Sequence, residues 1–370
     1  MQALILVGGK GTRLRPLTSL LPKPIVTLVD RPFLTYQLEW VKAHGIDEVI
    51  LSCGFLPDQL EAVLGDGSAL GLTLTYVVEP EPLGTGGALK YAEPHLQDRF
   101  FMLNGDTLTD MDLSAQLAQH LRTGARGTLA LHPVDDVSSY GLVPLYPDGS
   151  VREFLEKPGP DDAVSTNLIN AGAYVFEKEI LDDLPACGSH FSIERDVFPR
   201  LVGNGLYGYE ASGYWMDIGT PKRYLEGTFD ILNANVATAI GRRLAAHGGC
   251  LTEGATVEGR VVRPAIVGAG SHIGPEAIVG GLAVLGENCR IGAGSHITDS
   301  VLHDGVRIGA RTRINGSILA ADVTVGDNCL ISRGAVIGAG VQIGDDNEIV
   351  NGMRIFPGTE IPAGAIRFSS

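Results

Sequence analysis

Residues 4–24 read LILVGGKGTRLRPLTSLLPKP. The first four are apolar and suit a buried strand, which runs into Gly8, Gly9 and Gly11. Glycines at such a position let backbone N–H groups approach a polyanion closely, and nearby cations neutralise it. Lys10, Arg13, Arg15 and Lys23 supply four of them, with no acidic residue before Asp30, although the 370-residue chain carries a net charge of −15. A cationic pocket kept inside an acidic chain reads as a phosphate site. The spacing is neither Gly-x-x-x-x-Gly-Lys-Ser/Thr nor a full Gly-x-Gly-x-x-Gly. A strand-terminal turn without a ligand would explain Gly-Gly-x-Gly alone; the four cations and the closing Pro-Lys-Pro argue against it.

Outward from this loop, the first 230 residues alternate strand-like and helix-like patterns. Residues 48–53, 72–78, 100–103 and 128–134 read as strands. Residues 33–44 carry Leu34, Leu38 and Val41 on one helical face, with Gly45 just beyond, and Pro57 opens a second helix that Gly65 ends. Such alternation predicts an α/β fold, a Rossmann-like, doubly wound, mainly parallel sheet whose ligands bind beyond the C-terminal strand ends. Residues 140–146 and 151–156, joined by Pro147-Asp148-Gly149, read as an added hairpin. Thr220-Pro221 is an N-cap followed by a first-turn proline, and it opens a helix between two modules. The sheet of the first module reads as complete without the second.

Past residue 230 the composition changes. Of two tryptophans, ten tyrosines and eleven phenylalanines, only Phe356 and Phe368 lie beyond it. A period of six takes over at Val267, Ile273, Val279, Leu285, Ile291 and Ile297, slips by one, resumes at Ile308 and Ile314, slips again, and runs from Val325 to Ile355. One inward aliphatic per hexapeptide with an adjacent glycine predicts a parallel β-helix, the glycines allowing tight corners. Hexapeptide coils wind left-handed, against the usual crossover rule. The expected organisation is a catalytic domain over 1–230, a linker over 231–249 and a left-handed β-helix over 250–370.

Five cysteines stand singly, without metal spacing, which suits reduced thiols and a cytoplasmic protein. No apolar run approaches membrane-spanning length. The acidic balance argues against nucleic acid or an anionic membrane as partner. Asp106, after the strand-like 100–103, suits a divalent metal bound through acids and phosphate oxygens, although an Asp there also serves as a turn or cap residue. Asp217, just before the Thr220 cap, has the same two readings. Glu156-Lys157-Pro158 read alone is a solvated charged pair before a turn.

Gly-Gly-x-Gly-Thr-Arg-Leu-x-Pro-Leu-Thr followed by Pro-Lys-Pro resembles the signature of the sugar-1-phosphate nucleotidylyltransferases, and further blocks occur in that family's order along the whole chain. The resemblance implies that Asp106 and Asp217 hold a catalytic Mg²⁺. It implies a nucleotide site of Leu6, Gly8, Gly9, Gly11, Thr12, Arg13, Lys23, Glu79, Gly84 and Thr85. It places the sugar phosphate on Gly141, Glu156, Lys157, Asn170 and Gly172. The implied reaction is in-line attack of a sugar 1-phosphate oxygen on the α-phosphorus of an NTP, with Arg13, Lys23 and Lys157 neutralising charge. The first loop is similar to that of mannose-1-phosphate guanylyltransferases carrying a hexapeptide domain, which implies GTP and mannose 1-phosphate as substrates. A glucose-1-phosphate thymidylyl- or uridylyltransferase is the alternative. Two readings of other kinds are an added acetyltransferase in the β-helix, using His272, His296 or His303, and an inactive regulatory subunit. Flat β-helix sides and coil ends imply a homo-oligomer.

Overall fold

The structure, a computed structural model, describes residues 1–157 and 166–368. The chain forms two compact units, one of Met1–Lys10 with Leu34–Trp215, the other of Gly11–Phe33 with the chain from Met216 onward.

The first unit is built on β1 (Gln2–Leu6), β2 (Glu48–Cys53), β3 (Thr73–Val78), β4 (Arg99–Asn104), β5 (Gly127–Pro133), β6 (Leu168–Glu177) and β7 (Leu206–Glu210). Their order across the sheet is β7-β5-β6-β4-β1-β2-β3. All neighbours are parallel except β6, which runs antiparallel to both β4 and β5. Helices α1 (Phe33–Ala43), α2 (Pro57–Leu64), α3 (Gly84–Ala92) and α4 (Leu113–Thr123) connect the strands. The interiors of β1 (Ala3 to Leu6) and β4 (Phe100 to Leu103) are apolar, as strands buried on both faces require. The core gathers Leu4, Phe100, Met102, Tyr174, Phe176 and Phe198. Strand order reverses between β1 and β4, so the crevice at their C-terminal ends is the place for a ligand. The expected hairpin is reduced to two antiparallel bridges, Leu142 with Leu155 and Leu145 with Val151. Ser150 also bridges to Tyr207 and Leu142 to Ile169, so its two arms are tied to the main sheet as well as to each other.

In the second unit, α5 (Pro221–Leu232) begins at Thr220, whose side chain accepts the Arg223 N–H, and α6 (Ala239–Ala246) occupies the expected linker. The hexapeptides then form a left-handed parallel β-helix of three sheets with seven, seven and six strands. Every inward aliphatic of the six-residue period from Val267 to Ile349 is buried, and Ile355 is half-buried at the last coil. Each slip is one five-residue side, where Leu302 and Leu319 take the inward place and pair in register with Leu285 and Ile337.

The glycines have a different reason from the one expected. The corner residues with positive φ include Asn288, Arg311, Asp322, Asn328 and Arg333 as well as glycines. Apart from Gly280, the glycines after an inward aliphatic, Gly292 for example, do not adopt positive φ; a Cβ on Gly292 would run into the backbone of Gly309 one coil on. Close stacking of coils, rather than the turn, excludes a side chain.

One seven-stranded sheet of the β-helix runs Cys250–Leu251, Ala265–Val267, Ala283–Leu285, Val301–Leu302, Ile318–Leu319, Val336–Ile337 and Arg354–Ile355. Its outward residues form a second apolar ladder: Val284, Val301, Ile318 and Val336 are each at most 1% exposed. α5 lies over this side, with Leu225 and Phe229 lining a cavity of about 370 Å³ opposite Ile318, Val336 and Arg354.

Candidate active site

In the first unit, register alone sets Leu6 beside Ser52 and Asn104, so three strand ends stop level. Gly8 passes so close to Gly54 that a Cβ on Gly54 would stand 2.9 Å from the Gly8 carbonyl oxygen. Gly9 and Lys10 beyond it are exposed. The Asn104–Thr107 turn carries Asp106, which is partly exposed. The turn is tied on two sides. Gly105 N–H donates to the Leu6 carbonyl at 3.0 Å, and the buried Gln37 of α1 donates from Nε2 to the carbonyls of Asn104 (2.9 Å) and Thr107 (2.8 Å). Gln37 reads from sequence as one more polar residue of an amphipathic helix; only the fold shows that it clasps the acid-bearing turn.

Glu79 is buried, with both oxygens engaged internally. Oε1 accepts from the Ser52 hydroxyl at 2.9 Å and Oε2 from the Leu83 N–H at 3.0 Å. Its carboxylate ties the end of β2 to the start of α3. The N–H groups of Gly86 and Gly87 donate to the Phe191 carbonyl, so residues 84–87 are pressed against the segment around Phe191. Thr85 is engaged too: its Oγ1 donates to Glu194 Oε2 at 2.6 Å and accepts the Ile193 N–H at 3.0 Å. Glu194 and Ser192, whose hydroxyl also donates to Glu194, had no motif to mark them.

The residues implied for the sugar phosphate form one neighbourhood. Gly141 accepts the Asn170 N–H at 2.8 Å, and a Cβ on Gly141 would come within 2.9 Å of Glu156 Oε2. Asn170 Nδ2 donates to the Tyr174 hydroxyl at 2.9 Å, its Oδ1 accepts the Gly172 N–H, and Gly172 turns at φ +73 against Asn104. Burial raises the Glu156 carboxyl above its ordinary range; Lys157 opposes that and Glu194 adds to it. Burial foremost, then the charge of Glu194, keeps the Tyr174 hydroxyl protonated. Lys157 is exposed, in the left-handed region at φ 52, with Nζ 3.9 Å from Glu156 Oε1. Pro158, which closes that motif, lies outside the described residues.

The second unit holds the rest of the loop. Gly11 is left-handed at φ 58, and its carbonyl accepts the Leu14 N–H (3.0 Å) and the Thr18 hydroxyl (2.7 Å). Thr12 and Arg13 are exposed on the short turn Thr12–Leu14. Lys23 is buried at 9% exposure, its stem packed against Gly11. Arg13 and Asp217 meet at Gly219: a Cβ there would stand 3.0 Å from both Arg13 Nη2 and Asp217 Oδ2. A cation and an acid thus converge on one point just before the Thr220 cap. The β-helix histidines are occupied differently. His272 bonds Glu258 at 2.7 Å, and His303 bonds the Tyr224 hydroxyl at 3.0 Å.

Residues 2–234 match the family described as "Nucleotidyl transferase", and residues 247–349 match "EIF2B subunit epsilon LbH domain". A mannose-1-phosphate guanylyltransferase of Mycobacterium tuberculosis is 39% identical, over 100% of this chain and 98% of its own. A UTP–glucose-1-phosphate uridylyltransferase of Synechocystis is 30% identical over 82% of this chain and 83% of its own. Among solved structures, HddC from Yersinia pseudotuberculosis complexed with GMP-PN superposes with a TM-score of 0.53 at 31% identity, over 61% of this chain and 97% of that one.

Proposed function

The chain belongs to the nucleotidyl transferase family, and on that premise we propose that it joins the guanylyl group of GTP to mannose 1-phosphate, releasing pyrophosphate. The observation that carries the reading is the acid-free loop of four cations, with Arg13 set against Asp217 at Gly219. The guanylyl and mannose specificity is supported by the relative matched along the whole chain.

The sugar phosphate is already ionised near neutral pH, so its oxygen attacks the α-phosphorus without a general base. The work left to the protein is alignment and charge neutralisation. Backbone N–H groups of Gly8, Gly9 and Gly11 cradle the triphosphate, with Leu6 and Thr12 flanking them, while Arg13 and Lys23 oppose its charge as pyrophosphate departs. Lys157, the exposed cation beside Glu156, holds the sugar phosphate; Glu156, Asn170, Gly141 and Gly172 face the sugar. Glu79, Gly84 and Thr85 line the nucleoside, and Glu79 also fixes the start of this segment by accepting the Leu83 N–H. Asp106 and Asp217 offer hard carboxylate oxygens, the donor type a Mg²⁺ shared with phosphates takes. When bound, such an ion supplies Lewis-acid charge at the phosphates.

The domain limits 1–230, 231–249 and 250–370 are part of the same proposal, as is a cytoplasmic setting, supported by five free cysteines. So is self-association through the β-helix, supported by the exposed Phe356 and Phe368 on its last coil. The occupied His272 and His303 weigh against a second, acyl-transfer chemistry there. The test is pyrophosphate release from the purified full chain with GTP, ATP, UTP, CTP and dTTP against mannose, glucose and N-acetylglucosamine 1-phosphates. GTP with mannose 1-phosphate should give the highest kcat/KM; a tenfold advantage for UTP or dTTP with glucose 1-phosphate would overturn the specificity.

A further inference from the structure

We propose that Arg354 and His303 of the β-helix are positioning residues for the cationic loop, so that the β-helix is needed for nucleotide handling by this chain. The inference rests on the nucleotidyl-transfer reading above. It begins with the loop's own hydrogen bonds. The carbonyls of Gly11, Thr12, Leu14 and Pro16 accept from Leu14, Arg15, Leu17 and Ser19 within the turns. The carbonyls of Arg13 and Arg15 point the other way, and Arg354 Nη1 donates to both, at 3.2 and 2.9 Å. One guanidinium from the far end of the sequence therefore takes up the two acceptors that the turns do not use, and charge-assisted bonds are the stronger kind.

The sequence places this arginine by register. In the covered sheet the outward rungs are Val284, Val301, Ile318 and Val336, and the next rung in register is Arg354. Ile318 and Val336 line the cavity beneath α5 together with Arg354, whose guanidinium goes on to the backbone carbonyls of the loop. A second tie is independent of the first. The Tyr224 hydroxyl, on a residue 1% exposed in α5, donates to the Thr27 carbonyl at 2.6 Å and bonds His303 Nε2 at 3.0 Å. With that hydroxyl proton given to Thr27, the imidazole is the donor to Tyr224. The β-helix thus holds the loop directly at Arg13 and Arg15 and, through Tyr224 of α5, at Thr27. A shift of the Arg13 backbone would carry its guanidinium away from Asp217 and Gly219.

Neither residue reaches substrate, so the test must separate positioning from general stability. Trypsin reports on the loop without any turnover: it can cut after Lys10 and Arg13, which fragment masses tell apart, whereas Arg15 and Lys23 precede prolines. Arg354→Ala should speed cleavage after Arg13 at least fivefold. It should raise KM for GTP and lower kcat, together by tenfold or more in kcat/KM, with KM for mannose 1-phosphate within twofold and Tm nearly unchanged. Arg354→Lys should restore part of both effects. His303→Ala should act in the same direction, and His303→Gln, which keeps an N–H donor, should be milder. Unchanged cleavage in Arg354→Ala overturns the proposal whatever the kinetics, as does faster cleavage with unaltered GTP kinetics. An equal rise in both KM values with a fall in Tm assigns a general structural role and also overturns it. If the wild-type chain turns over none of the nucleotide and sugar pairs while Arg354→Ala still opens the loop, the function reading fails and the loop anchor stands.

Discussion

Lys157 and Gln37 represent two kinds of site residue, and they differ in how far sequence reveals them. Lys157 is an exposed point charge on one substrate in the proposed mechanism. Lys157→Ala should therefore raise KM for the sugar phosphate by roughly tenfold or more, the worth of one charge-assisted contact, and leave KM for GTP nearly unchanged. Steady-state kinetics with each substrate varied would show it; an equal loss for both would move this lysine to the triphosphate. Gln37 touches no substrate but bonds both ends of the turn that bears Asp106. Gln37→Leu leaves the buried Thr107 carbonyl and the partly buried Asn104 carbonyl without this donor and should cost about 1–3 kcal/mol of stability, read by urea denaturation, together with a fall in kcat. The glycines, cations and acids were legible because their types and spacing carry the chemistry directly. Gln37, Glu194 and the internal bonds of Glu79 were not, because their role depends on which carbonyl or hydroxyl the fold brings near. Nothing in a single sequence marks that.

At the scale of elements, strand and helix positions followed periodicity closely, from β1 at Gln2–Leu6 to α5 at its Thr220 cap. The hairpin was weaker than its pattern, since its strands are divided between each other and the main sheet. The β-helix carried a signal beyond its period. On one of its three sides two aliphatics stand together, Val284-Leu285, Val301-Leu302, Ile318-Leu319 and Val336-Ile337, whereas the second side pairs polar with aliphatic, as in Arg290-Ile291, Arg307-Ile308 and Gln342-Ile343. On this side both aliphatics of each pair are buried, and Ile318 and Val336 face α5, whereas Leu330 of the third side's Leu330-Ile331 is exposed. The hexapeptide glycines also make a specific forecast. Gly292→Ala should destabilise the β-helix by about 1–3 kcal/mol through overpacking against the next coil, visible as a lower Tm. A change at Gly281, where a Cβ meets nothing within 4 Å, should be felt only through its backbone angle, φ +62.

For the whole molecule, three buried or half-buried histidines contribute to its sensitivity to acid. Burial holds His303 at about 4, from an ordinary 6.5, and also lowers His120 and His132. Between pH 6.5 and 4 the unfolded chain takes up protons that these folded imidazoles refuse. Their contribution to stability is therefore fully present above 6.5 and declines as pH falls toward 4. Thermal melts across that window should show Tm falling with acid, and His303→Gln should flatten part of the slope. Gly11–Phe33 groups with the chain from Met216 onward, and within that unit Arg354 bonds the Arg13 and Arg15 carbonyls.

The central claim is tested most directly by ³¹P NMR of the purified full chain with GTP, mannose 1-phosphate and Mg²⁺. The account predicts paired diphosphate resonances of GDP-mannose growing in step with pyrophosphate, both abolished by a chelator. Release of inorganic phosphate instead, or no consumption of either substrate, would contradict it.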